Sequence, residues 1–172
     1  MSTQELERAV NLDTERIDPA QLRQVMSAYP TGITVITAEG PSGPVGMTAN
    51  SFTSVSLDPP LVLFCAALTS STWPSIRDAE HFTVNLMSAR GMETAQRFAT
   101  SGIDRYAGVA HFAGVTGSPI LSDADSHLEC VLESTHILGD HAVAIGRVVG
   151  VGERGTDTPL IFHRSKMHTT EQ

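Results

Sequence analysis

The sequence is poor in lysine, tryptophan and cysteine, and it carries no surplus of positive charge. Its 172 residues include 11 basic against 19 acidic side chains, a formal net charge of −8, and Lys166 is the lone lysine. Phosphate backbones are held by basic faces, so nucleic acid is not expected as a partner. An anionic small ligand would have to be met by local donors rather than by the overall field. The two cysteines, Cys65 and Cys130, fit neither a zinc spacing nor a Cys-x-x-Cys redox pair. Each stands in an apolar stretch, which predicts buried thiols in a reducing compartment. No apolar run reaches the length of a membrane span. The opening MSTQELERAVNLDTER lacks the apolar stretch of a signal peptide. A cytoplasmic protein that avoids membranes is the expectation. Walker, GxSxG and HExxH patterns are all missing, and the seven histidines show no ligand spacing, so no metal is expected.

What is present is an ordinary globular balance, 41% hydrophobic and 17% charged, at a length that suits one domain. Residues 1–17 read as a polar lead-in with at most a loose helical turn, and 18–172 as the domain. A helix should begin at Asp18-Pro19, where Asp18 caps and proline suits the first turn, with Leu22, Val25 and Met26 as its apolar stripe. Gly32–Ala38 and Val45–Asn50 read as strands around a turn at 39–44, and alternation returns over 51–57. Leu61–Ala67 is continuously apolar and predicts a strand buried on both faces. Ser71 or Thr72 should cap a short helix, His81–Met87 form a strand, and Ser88 cap a further helix carrying Met92, Ala95 and Phe98. An irregular segment, 102–118, precedes two long strands hinged at Leu138-Gly139, then a strand at Leu160–His163. About seven strands and three helices, not alternating, fit a small antiparallel barrel flanked by helices.

Three clusters offer ligand chemistry. Thr48, Ala49, Asn50 and Ser51 are small or polar, so a flat ligand could approach their backbone amides; Ser54 and Ser56 lie just beyond. On residues alone the same stretch describes a polar turn. Ser70, Ser71 and Thr72 before a helix start would suit a phosphate, and equally a plain cap. Asp140 beside His141 could be an orienting or acid–base pair, or an incidental turn. Arg164-Ser165-Lys166 is a small basic cluster near the C-terminus.

In combination these segments resemble the flavin reductase-like family, the small reductase components of two-component flavin-dependent monooxygenases. The resemblance runs from about residue 20 to 164. It is carried by YPTGITVIT at 29–37, GMTANSFTSVSLDPPLVLFC at 46–65 and FTVNLM at 82–87. It continues through Gly117-x-Pro119-x-Leu121, Leu128-x-Cys130, Gly139-Asp140-His141 and Gly146-Arg147-Val148. The resemblance implies a mainly β fold with flanking helices, a split β-barrel of the FMN-binding type that pairs as a homodimer.

The implied reaction is hydride transfer from NADH or NADPH to free FAD or FMN, the reduced flavin passing to a separate monooxygenase. By motif position, Thr48, Ala49, Asn50 and Ser51 would run along the isoalloxazine and ribityl chain. Cys65 and Ala66 would close one side, and Ser70, Ser71 and Thr72 would meet the ribityl or phosphate end. His141, set by Asp140, would lie by the nicotinamide. Arg164 is retained from the family's C-terminal pattern, although the tyrosine often found beside it is missing. NADH is favoured over NADPH, because no basic cluster is placed for a 2′-phosphate. A flavin-holding carrier or sensor, a pyridoxamine-phosphate-oxidase-like enzyme and a purely structural barrel dimer are the alternative readings.

Overall fold

Asp18 starts the first helix as its sequence dictates. Its carboxylate accepts a hydrogen bond from the Ala20 amide at 3.0 Å, Pro19 occupies the first turn, and α1 runs Pro19–Met26. The computed structural model describes residues 17–155 and 158–169, so the polar lead-in expected over 1–17 lies, but for Ile17, outside them. The apolar stripe of α1 does not pack on its own chain. Leu22, Val25 and Met26 are 52%, 65% and 55% exposed.

The strands are β1 (Thr31–Gly32), β2 (Thr34–Gly40), β3 (Gly43–Ala49), β4 (Thr53–Leu57), β5 (Pro60–Ala67), β6 (His81–Met87), β7 (His111–Ala113), β8 (Pro119–Leu121), β9 (Ala124–Leu138), β10 (His141–Glu153), β11 (Leu160–His163) and β12 (Lys166–Thr169). Seven of them form one antiparallel sheet in the order β3-β2-β6-β9-β10-β5-β4. The long pair β9–β10 carries register shifts at Ile145/Gly146 and Val148/Gly150. Such bulges bend a strand and increase its twist, so the sheet curls around its core. Its edges β3 and β4 share no ladder, so the sheet is not closed. A second sheet, β1-β11-β12, ties the start of the fold to its C-terminal hairpin, and β7 pairs with β8.

The helices α2 (Trp73–Asp78) and α3 (Met92–Ala99) pack against this sheet. Trp73 and Ile76 of α2 join Phe64, Phe82 and Ile36 in the main core, where Phe64 meets both Trp73 and Phe82 edge-on. Ala95 and Phe98 of α3 belong to a second cluster with Val35, Leu121 and Leu160. Between them lies a buried polar knot. Asn85 donates to Val35 O and Thr37 Oγ1, both at 3.0 Å, and accepts from the Leu121 amide at 2.8 Å. Every strong donor and acceptor of that amide is used, so its burial carries little penalty.

Several sequence expectations change. Among the described residues there are twelve strands, three α-helices and a 3₁₀ turn at Ala89–Gly91, against about seven strands and three helices expected. The extra strands have two to four residues, too short for a periodicity to register. The turn joining β11 to β12 uses Arg164 and Ser165, both at positive φ, where the sequence offers no glycine to announce it. The strand β5 is not buried on both faces. Val62, Phe64 and Ala66 point into the core, while Leu61, Leu63, Cys65 and Ala67 on the other face are only half-covered. Cys65 is accordingly half-buried, and only Cys130 is fully buried. Ser88 makes no side-chain cap and leads into the 3₁₀ turn rather than directly into α3. The β9–β10 turn is Gly139-Asp140, one residue later than expected, with Gly139 at φ +61.

Candidate functional site

Three segments meet around the C-terminal end of β5. The first is the link after β3, Asn50–Phe52. Ser51 Oγ accepts from the Cys65 amide at 2.9 Å and donates to the Cys65 carbonyl at 3.2 Å. The second is β5 itself and the loop that leaves it, Leu68–Thr72. The third is the β9–β10 turn. His141 pairs in register with Ala67, and the Leu68 amide donates to Asp140 O at 3.0 Å. Cys65 and Ala67 are two residues apart on one face, about 7 Å at roughly 3.4 Å per residue. The Asn50–Ser51 segment and the Asp140–His141 pair therefore flank the same end of one strand.

Asp140 Oδ1 and His141 Nδ1 lie 2.7 Å apart. The His141 hydrogen bond and its nearby charge hold the Asp140 carboxyl below the usual carboxylate range, with a smaller contribution from Arg23 of α1. The dyad is open to solvent, the side chains being 44% exposed for His141 and 95% for Asp140. His141 is thus free to meet a ligand through the ring nitrogen that Asp140 does not engage.

Beside the Asn50–Ser51 segment opens a cleft of about 640 Å³, bounded by Arg23, Tyr29, Thr31, Asn50, Ser51, Phe52, Thr53, Phe162 and Ser165 among others. That volume is in the range of small-molecule sites. Aromatic walls and short polar side chains suit a flat ring with a polar edge. The Thr31 hydroxyl is buried without a hydrogen-bond partner, an orphan that a ligand could satisfy. These features fit a flavin ring.

The remaining residues singled out from the sequence have diverse placements. The Thr48 hydroxyl donates to Ala95 O of α3 at 2.6 Å. Ala49 and Ala66 are buried core side chains, 6% and 0% exposed, so only their backbone could touch a ligand. Thr72 stands at the N-cap position of α2 as expected, but its side chain makes no cap bond, and Ser70 supplies the capping hydroxyl. Ser70 Oγ accepts from the amides of Thr72 and Trp73 at 3.3 and 3.2 Å. Ser71 is exposed, and Thr72 Oγ1 accepts from Arg105 at 2.8 Å. Arg164 stands in the β11–β12 turn with an exposed side chain, and its amide donates to Ser27 O at 2.7 Å. Its neighbour Ser165 is the residue that lines the cleft. Ser54 and Ser56 lie on the edge strand β4.

Sequence reasoning missed Arg105. It lies in the segment read as irregular, where no periodicity marks it, yet it reaches both the β3 backbone and Thr72. It also missed the cleft contribution of Arg23 and Tyr29, which only the fold brings beside Asn50.

A curled antiparallel sheet with helices outside it, and a ligand-sized cleft at the end of β5, define a small-ligand-binding β fold. Residues 26–171 match the family described as Flavin reductase like domain, and the chain belongs to that family. It is 41% identical over 88% of its length, and 78% of the relative's, to a reductase subunit of a flavin-dependent monooxygenase from Rhodococcus jostii. A flavin reductase of Pseudomonas putida is 38% identical, with 91% of this chain and 92% of the relative covered. Among solved structures, the NADH:FAD oxidoreductase of Streptomyces globisporus in complex with NAD and FAD fragments superposes with a TM-score of 0.84 at 35% identity, covering 91% of this chain and 97% of that one. Among the described residues no helix is long and apolar enough to cross a membrane.

Proposed function

We propose that this chain transfers a hydride from NADH to free FAD or FMN and releases the reduced flavin to a separate flavin-dependent monooxygenase. The observation that carries this reading is the placement of the Asn50–Ser51 segment and the Asp140–His141 pair on either side of the end of β5, in a chain of this family. When bound, the nicotinamide supplies the hydride and the isoalloxazine accepts it, so the cofactors carry the chemistry.

The chain's own part is positioning and electrostatics. The backbone amides at Asn50 and Ser51 and the unpartnered Thr31 hydroxyl would donate to the polar edge of the ring system, where negative charge grows on reduction. Tyr29, Phe52 and Phe162 would supply apolar wall to the ring system in the cleft. His141, oriented by Asp140, would meet the dinucleotide and hold the nicotinamide for hydride transfer. Because the dyad is solvent-exposed, its role is to bind and orient rather than to move a proton to the flavin.

The direct test is consumption of NADH as FAD, FMN or riboflavin is added. Consumption that rises with free flavin supports the reductase. Flavin retained through gel filtration with no NADH consumption would replace it with the carrier reading. In the reductase, His141→Ala raises the KM for NADH more than it weakens flavin binding; unchanged kinetics would remove His141 from the site.

The chain also pairs as a homodimer in this reading. The support is the exposed stripe of Leu22, Val25 and Met26 on α1, next to the cleft and without a cover of its own. Light scattering should give twice the chain mass, and charged substitutions on the stripe should lower it. A monomer at all concentrations contradicts the pairing.

A further inference from the structure

Among the described residues that border the cleft beside Asn50 and Ser51, Arg23 alone is charged. Aromatic rings, hydroxyls and backbone make up the rest of the wall. No carboxylate borders it there, although the chain carries 19 acidic residues against 11 basic. The Arg23 guanidinium has neither a hydrogen bond nor an ion pair of its own among the described residues. It stays protonated at any working pH.

The helix end that carries this charge is fastened. Arg23 stands in the last turn of α1, where a cation also answers the helix dipole. Its carbonyl accepts from the Ser27 amide at 2.9 Å, and the Ser27 carbonyl accepts from the Arg164 amide at 2.7 Å. Arg164 and Ser165 form the β11–β12 turn at φ 50 and 62, and Ser165 borders the same cleft. The charge is thus anchored through the backbone, although the apolar stripe of α1 packs on nothing in its own chain. Its field reaches the other side of the site as well, where it helps to hold the Asp140 carboxyl ionised.

A flavin ring changes charge in this reaction. A hydride leaves nicotinamide C4 with two electrons and one proton and bonds to flavin N5. The nicotinamide becomes a cation, and the neutral flavin ring becomes an anion whose charge gathers at the edge carrying N1. A hydroxyl such as that of Thr31 bonds to either form of the ring. A cation discriminates, because it attracts the anion and is nearly indifferent to the neutral form.

We propose that Arg23 makes the cleft favour reduced flavin over oxidised flavin, its guanidinium meeting the negative charge that the hydride brings to the ring. This rests on the flavin reductase reading above. An exposed charge contributes modestly, so the preference is small enough to leave the product free to depart.

The test uses riboflavin, which has no phosphate, so that only the ring is compared. Dissociation constants for its oxidised and dithionite-reduced forms are measured by anaerobic ultrafiltration at mildly alkaline pH, with the unaltered protein, Arg23→Gln and Arg23→Lys. The unaltered protein should bind the reduced ring more tightly. In R23Q that preference should shrink about three-fold, with little change for the oxidised ring, and R23K should keep most of it. Added salt should erode the preference of the unaltered protein and leave that of R23Q unmoved. An unchanged ratio in R23Q overturns the proposal. So does an equal weakening of both forms, which would make Arg23 part of the wall or a brace of α1. Binding of neither form by the unaltered protein would take flavin out of the cleft and end the proposal. The reductase reading is tested separately, by consumption of NADH with added FMN or FAD. Its failure would still leave the binding ratio to decide on Arg23.

Discussion

Ser51 and Cys65 hold each other through two hydrogen bonds, Cys65 N to Ser51 Oγ and Ser51 Oγ to Cys65 O. One side chain thus imitates a strand partner where the sheet edges share no ladder, and it fixes the Asn50–Phe52 link against β5. Ser51→Ala leaves a part-buried amide and carbonyl without that partner, at a cost of about 1–2 kcal/mol. The link would also loosen, so the flavin KM should rise. Urea unfolding and flavin titration check the two halves; a rise in KM with no loss of stability would detach the binding role from the brace.

Asn85 ties β6 to β2 and β8 from a fully buried position. Asn85→Leu keeps the volume but strands the Leu121 amide, the Val35 carbonyl and Thr37. A loss of about 2–4 kcal/mol is expected in denaturant unfolding, with the KM for NADH and flavin little altered. Near-neutral stability would show that water replaces the amide.

Burial, reinforced by Glu129, pushes the Cys130 thiol up to about 12. An unfolded chain ionises a cysteine near pH 8.5. The raised folded value means that the unfolded state loses its proton first. The contribution is fully present below about pH 8.5 and is lost as pH climbs toward 12. Stability measured by urea from pH 7 to 10.5 should therefore decline, by up to about 1.4 kcal/mol per pH unit from this group. Cys130→Ala should flatten the decline, and an identical slope in both proteins would contradict the assignment.

Gly46 has no room for a side chain. A Cβ there would stand 2.6 Å from Phe98 Cε1 and 3.0 Å from Ile36 O. Gly46→Ala should cost about 1–3 kcal/mol by overpacking. Because β3 leads on to Ala49 and the Asn50–Ser51 segment, displacement of β3 should weaken FMN binding as well. Thermal unfolding and FMN titration of the variant give the check; wild-type values for both would show that Phe98 moves aside freely.

Much of the fold was legible where local chemistry and tertiary packing agree. Asp18-Pro19 announces a helix start, and both His81–Met87 and Leu160–His163 have the observed strand boundaries. The Asn50–Ser51 segment was legible as a polar cluster and Asp140–His141 as an orienting or acid–base pair, and the fold sets them on either side of one strand end. What was hidden depends on distant partners. The Thr48 hydroxyl has a partner, Ala95 O of α3, that lies 47 residues away in sequence. Thr72 holds the cap position of α2, yet the capping hydroxyl is Ser70's, and Arg105, 33 residues on, donates to the Thr72 hydroxyl. The stripe of α1 has a core-facing period, yet its own chain offers it no core, which periodicity alone has no means to show.

The central claim is that flavin is a diffusible substrate and not a resident group. The most direct measurement is anaerobic: a trace of protein, NADH in excess, and FMN or FAD in large excess over protein, with flavin bleaching followed to completion. The account predicts that all the flavin is reduced, one NADH consumed for each, over many turnovers per chain. Bleaching that stops at one flavin per chain would contradict it and leave a flavin-holding protein in place of a reductase.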